Sequence, residues 1–201
     1  MAIDLEYPFA GCWAVRNSPA DRVPSHGTTV FGTSYAIDFV PVDAEGRTAP
    51  FTATSLFLTE PAARFPGFGR AILSPADGVV IGAHDGEPDH DAYRGLSSVG
   101  YALTQRRRAA DWRMLAGNHV LIDTDHGVVA LCHLRQGSVA VRLGQHVDIG
   151  DPVGTCGNSG NSTEPHLHMQ AIDGPDPARA HAVSLSFRGR LPRNGEIIEV
   201  N

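Results

Sequence analysis

What this chain lacks narrows what it can be. No apolar run approaches the ~20 residues that a membrane-spanning helix needs, so no membrane span is expected. The opening, MAIDLEYPFAGCWAV, carries Asp4 and Glu6 where a secretion signal has positive charge. It also lacks a clean apolar core before a small-residue cleavage site. With no visible signal peptide, the sequence reads as cytoplasmic. Cysteine is scarce: Cys12, Cys132 and Cys156 are odd in number and show no CxxC spacing. That excludes a disulfide framework and a four-cysteine zinc site. The three read as buried single thiols, with a Cys132–Cys156 contact left open. Positive charge is scarce too. The formal net charge is −6, and the one basic cluster, Arg106-Arg107-Arg108, is flanked by apolar residues and reads as a solvated helix face. A nucleic-acid partner is therefore not expected.

What is present is turn chemistry. The 22 glycines and 14 prolines punctuate short apolar runs, which predicts many short strands joined by turns rather than long helices. The fold expected is mainly β, a small antiparallel sheet or sandwich-like hairpin domain in one unit, residues 1–201. Residues 1–25 read as an irregular arm with one or two short strands. TSYAIDFVPV (33–42) alternates as a strand and sets Asp38 among apolar neighbours, where a buried carboxylate needs a partner. AILSPADGVVIG (71–82) reads as strand, turn, strand. Residues 84–116 break the pattern and read as an insertion, with a helix expected over 103–115. Its two histidines, His84 and His90, read as solvated loop residues. HVLIDTDHGVVALCHL is a hairpin with a glycine in its turn. Short glycine-spaced strands follow, then PHLHMQAI as a strand. The segment 172–201 reads as a polar, proline-rich extension that ends in the strand GEIIEV.

Within PHLHMQAI, strand alternation puts His166 and His168 on one face and Leu167 on the other. Two imidazoles on one face, with a carboxylate such as Asp38 from another strand, make a donor set suited to zinc. A catalytic zinc takes three protein ligands and leaves a position open for water. A histidine beside such an ion serves as base or oxyanion partner. His133, in VALCHL, is such a candidate if its strand lies beside the HLH strand. Taken alone it reads as a hydrogen-bonded core residue.

Read in order, YAIDFVPV (35–42), AILSPADGVVIGA (71–83), GNHVLIDTDHGVVALCHL (117–134) and VRLGQHVDIGDPVGTCGNSGNSTEPHLHMQ (141–170) resemble the lysostaphin-type zinc metallopeptidases. These are largely peptidoglycan endopeptidases with a β-rich fold. The matched blocks span about 35–170, and their ordered combination is far more specific than any one of them. The resemblance implies Zn2+ as cofactor, a peptide or peptidoglycan substrate, and His168 and Asp38 as metal ligands. It implies His166 and His133 as catalytic residues that do not hold the metal. One position departs from the pattern: Ser34 stands where the family has a histidine, four residues before the aspartate. His26, 12 residues before Asp38, is expected to replace it as third ligand, with Gly27 and Gly32 allowing the chain to turn back. His119 is left as either a structural residue or one that supports a ligand from behind.

Three other readings compete. A metal-free binding module of the same fold would follow from loss of site residues, yet Asp38, His133, His166 and His168 all remain. A zinc hydrolase acting on a non-wall peptide is kept open by the missing signal peptide, since a wall substrate requires export. A biotinyl- or lipoyl-carrier hairpin is excluded by chemistry, because 141–170 contains no lysine to carry the group.

Overall fold

The computed structural model describes residues 2–52, 54–98, 100–101 and 111–201. Thirteen strands are defined among them. They are β1 (Ile3–Leu5), β2 (Gly11–Arg16), β3 (Ile37–Pro41), β4 (Ala71–Leu73), β5 (Gly78–His84), β6 (Asn118–Thr124) and β7 (Gly127–Leu134). Then come β8 (His146–Val147), β9 (Pro152–Thr155), β10 (Leu167–Ile172), β11 (Ala182–Val183), β12 (Leu185–Phe187) and β13 (Ile197–Val200). A short helix, α1 (Trp112–Ala116), precedes β6. The fold is mainly β and, apart from one parallel pair, antiparallel.

Nine strands form one sheet in the order β13-β2-β3-β10-β7-β6-β5-β8, with β11 beside β10. It is larger than the small sheet expected, because the arm and the extension are part of it. β2 pairs with β3, and β13 extends the same edge through Ile198 opposite Trp13. β1 pairs with β12 in parallel, and β4 with β9. Aromatic residues account for this. Tyr7, Phe9, Trp13, Phe39 and Phe187 pack ring against ring, with Phe9 and Trp13 stacked at 4.4 Å and Phe39 edge-on to Phe187 at 5.2 Å. Burying rings of that size drives arm and extension onto the sheet.

The alternation of β10 and β3 divides the sheet into two faces. Ile37, Phe39, Leu167 and Met169 enter the main core. Asp38, His168 and Gln170 point the other way, where Ala130, Cys132 and Ile172 form a smaller apolar cluster. The strand expected over 33–42 is shorter than predicted, since Val30–Tyr35 is a 3-10 turn with Phe31 and Gly32 in left-handed conformation. The hairpin of β6 and β7 forms as expected, with Gly127 at φ 137°. All three cysteines are free; Cys132 and Cys156 are buried, whereas Cys12 is only half-buried.

Residues 85–117 leave and return between two strands that pair directly, β5 and β6. The Arg106-Arg107-Arg108 cluster and most of the helix expected over 103–115 lie outside the described residues; α1 is the described part. The insertion packs against the loop that leads into the HLH triplet. Asp89 accepts the backbone N–H groups of Gln136 and Asn158 at 2.9 and 2.7 Å. His90 is therefore not solvated: it is half-buried, with Nε2 3.0 Å from the Gly160 carbonyl, and its own carbonyl accepts from Asn158. His84 is also partly covered, 3.4 Å from Glu87.

Candidate metal centre

The site lies on the face of the sheet where β3, β10 and β7 run side by side. Asp38 on β3 is directly opposite His168 on β10, which is opposite Cys132 on β7. That register brings His168 Nδ1 to 2.9 Å from Asp38 Oδ1. His26 arrives from the loop before β3. Ser25 N–H donates to the carbonyl of Ser34, 3.0 Å, so the chain doubles back on itself. Gly27 (φ 72°) and Gly32 (φ 73°) take left-handed conformations on that path, and a Cβ on Gly32 would meet Ile172 Cγ2 at 2.4 Å. Only glycine tolerates both conditions at position 32. The result places His26 Nε2 3.1 and 3.2 Å from the two Asp38 oxygens. Ser34 thus contributes its backbone to the turn that carries His26.

His133 reaches the same face through a β-bulge. Leu131 and Val129 point into the main core, and strict alternation would send His133 after them. Between β6 and β7 the pairing passes from Val120↔Leu131 to Asn118↔Leu134, so β7 carries one extra residue there. His133 takes φ 62° at this bulge. The irregularity turns its ring to the cleft and returns Leu134 to the core. His133 and His166 have ring centroids 4.7 Å apart, and His133 and His168 5.7 Å.

The hydrogen bonds set the tautomer of each ring. Gln170 Nε2 donates to the Phe31 carbonyl (2.6 Å), so its Oε1 accepts from His168 Nε2–H at 3.1 Å. Ser25 Oγ donates to the Thr33 carbonyl, so its lone pair accepts from His26 Nδ1–H at 2.9 Å. His133 Nδ1–H donates to Ser159 O (2.9 Å), and His166 Nδ1–H to Glu164 O (2.8 Å). Every neutral ring therefore has its other nitrogen bare. Two bare nitrogens, His168 Nδ1 and His26 Nε2, face one carboxylate with no proton between them. Lone pairs this close repel unless they share a cation. Two imidazole nitrogens and a carboxylate oxygen, all within 4.8 Å of one another, are a donor set that fits zinc.

Burial works against the charge on Asp38; when the surrounding rings are protonated, the charges of His26 and His166 and the hydrogen bonds from His168 and His26 hold its carboxyl well below the usual range, and with the rings neutral a bound cation takes the place of those protons. Asn17 Nδ2 donates to Asp38 Oδ2 at 2.7 Å. Burial, with the neighbouring His166 and His168, keeps the His133 pKa well below that of a free imidazole, so this ring is neutral at physiological pH. His119 stands apart from the cleft. It donates Nδ1–H to Gly117 O (2.7 Å) and accepts from Trp112 Nε1 (3.1 Å), as a structural residue does. The cleft over these groups is about 620 Å³ and is bordered by Val30, Leu115 and Ala116 on its apolar side.

The structure brings together all five residues singled out by sequence: His26, Asp38, His133, His166 and His168. Sequence reasoning missed Gln170, Asn17 and Ser25. Gln170 was within reach, since it continues the same-face series His166, His168, Gln170. Nothing local marks Asn17.

Residues 106–179 match Peptidase family M23. The peptidoglycan DD-endopeptidase ShyA of Vibrio cholerae is 33% identical over 79 residues. Those residues are 39% of this chain and 18% of that protein, so the chain spans under a fifth of the relative's length. The catalytic domain of lysostaphin from Staphylococcus simulans is similar over 90% of this chain and 88% of its own, at 15% identity and a TM-score of 0.43. A zinc-containing peptidase from Vibrio cholerae is similar over 90% of this chain and 37% of its own, at 17% identity and a TM-score of 0.38. Residues 106–179 thus carry the likeness to Peptidase family M23, and the sequence blocks that lead to the site resemble the lysostaphin-type members of that family.

Proposed function

We propose that this chain is a zinc-dependent endopeptidase that hydrolyses peptide bonds in peptidoglycan. The observation that carries the reading is the pair of bare imidazole nitrogens facing Asp38. His26, Asp38 and His168 would hold the ion. Bound zinc supplies a Lewis acid that polarises a carbonyl and brings the pKa of water towards about 7.

The remaining work falls to the chain. His133 and His166 each keep a bare Nε2, because their Nδ1–H groups are committed to backbone carbonyls. A neutral imidazole so oriented accepts a proton from the attacking water. Once charged, it donates to the oxyanion or to the leaving amine. Ser159 and Glu164 carbonyls keep both rings pointed into the cleft through that exchange. The peptidoglycan assignment takes its support from the likeness to the Vibrio cholerae DD-endopeptidase.

The test is digestion of purified peptidoglycan by the zinc-loaded protein beside a His168→Ala control, with metal content measured on both. Soluble peptide release by the wild type alone, with about one zinc per chain, is the expected result. Equal release from both proteins would refute the role of His168. A wild type that takes up no zinc would leave a binding module of the same fold.

A further inference from the structure

Arg22 stands at the mouth of the cleft and has no part in the chemistry above. It lines the cleft beside Asn17, His26 and Thr28. Its Nε donates to the Ser25 carbonyl at 2.9 Å, so its stem is fixed to the turn that carries His26. Its terminal nitrogens pair with no carboxylate among the described residues. The adjacent Asp21 is already taken by Arg193 (3.0 Å) and by the backbone N–H of Asn194 (2.7 Å). Asp38, the one carboxylate among the described residues lining the cleft, is enclosed by His26, Asn17 and His168. Histidines aside, Arg22 is the one cation among those residues.

A guanidinium held by Nε presents its two terminal nitrogens as a planar fork, which matches a carboxylate with two parallel hydrogen bonds. The chain carries a net charge of −6, so an anionic ligand meets repulsion on average. A single free cation in the cleft offsets that repulsion at one place. β3, β10 and β7 lie side by side under the cleft, spaced about 4.8 Å apart, and Arg22 lines it from the turn that carries His26. An extended peptide advances about 3.3 Å per residue along such a path.

Resting on the peptidase reading, we infer that Arg22 is a specificity-determining residue that binds a substrate carboxylate. The preferred substrate is a peptide with a free carboxylate within about two residues of the scissile bond, on the His26 side of the cleft.

The test uses two synthetic peptides that differ only in having that carboxylate or the matching carboxamide, with the zinc-loaded full chain as wild type, R22Q and R22K. Hydrolysis gives kcat/KM, and calorimetry on versions with a non-hydrolysable bond gives Kd. Wild type should favour the carboxylate peptide by about tenfold or more in both readouts. In R22Q the ratio should fall towards one, with R22K in between. Equal affinity of wild type for the two peptides would overturn the inference. So would an R22Q defect of the same factor on both peptides with lowered zinc content, which would assign Arg22 to holding the His26 turn. Preferential binding without hydrolysis would remove the peptidase reading and keep the carboxylate site. Hydrolysis without preference would do the reverse.

Discussion

Four imidazoles gather around Asp38, and in each the nitrogen turned away from the cleft is already committed to an oxygen. For His168 that oxygen belongs to Gln170, so Gln170→Leu frees the ring to rotate or change tautomer. Zinc affinity should fall by about ten- to a hundredfold, read by competition with a chelator; an unaltered affinity would show that the Gln170 contact is idle. In the proposed mechanism the bare Nε2 atoms of His133 and His166 serve the proton and not the ion. His133→Ala and His166→Ala should each lose about 10²–10⁴ in rate while keeping about one zinc per chain. Loss of the metal in either variant would move that residue into the ligand set. His119 gives a pH prediction outside the cleft. Burial, against the Gly117 hydrogen bond and with the charges of His84 and Arg113, pushes its pKa down to about 4 from an ordinary 6.5. Between those values the unfolded chain takes a proton that the folded chain refuses. Stability therefore falls as pH drops from about 6.5 to about 4, by up to about 3 kcal/mol. Urea unfolding across that range should show a shallower fall in His119→Gln, which cannot titrate; identical slopes would remove His119 from the account.

The elements that aim these side chains are less regular than the strands they join. The β-bulge at His133, the left-handed turn at Phe31 and Gly32, and the contact of Gly117 with Gly160 each break a periodic rule. A Cβ on Gly160, at φ 70°, would lie 2.4 Å from the backbone nitrogen of Gly117. Gly160→Ala should cost more than about 2 kcal/mol in urea unfolding and should displace the Ser159 carbonyl that holds His133. A variant with wild-type stability and activity would show that the loop absorbs the methyl group. These irregularities also mark where sequence reading stops. The same-face pairing of His166 and His168 was legible although β10 begins only at Leu167, because His166 leads directly into the strand and both rings line the cleft. The facing of His133 was not, because alternation over GVVALCHL predicts the core side and a one-residue bulge reverses it. The His26 turn was legible in outline, through Gly27 and Gly32. The strand expected from Thr33 failed, since the chain must finish that turn before it can enter β3.

At the scale of the whole molecule, chain segments far apart in sequence close the sheet. The arm and the extension look irregular singly, but they pair β2 with β13 and β1 with β12 around shared aromatic rings. Such partnerships depend on contacts across some 180 residues, and no local pattern reports them. The insertion was visible as a break in rhythm, yet its docking on 134–139 and 156–163 rests on Asp85 and Asp89 meeting backbone N–H groups that only the fold supplies. The central claim is that this fold replaces the histidine expected at Ser34 with His26, brought from a loop, to complete a zinc site with Asp38 and His168. Anomalous diffraction at the zinc edge, from crystals of the purified protein, tests it most directly. The account predicts one strong peak within about 2.2 Å of His26 Nε2, His168 Nδ1 and an Asp38 oxygen. A peak bound by Asp38 and His168 with His26 more than about 5 Å away, or no peak at all, would contradict it.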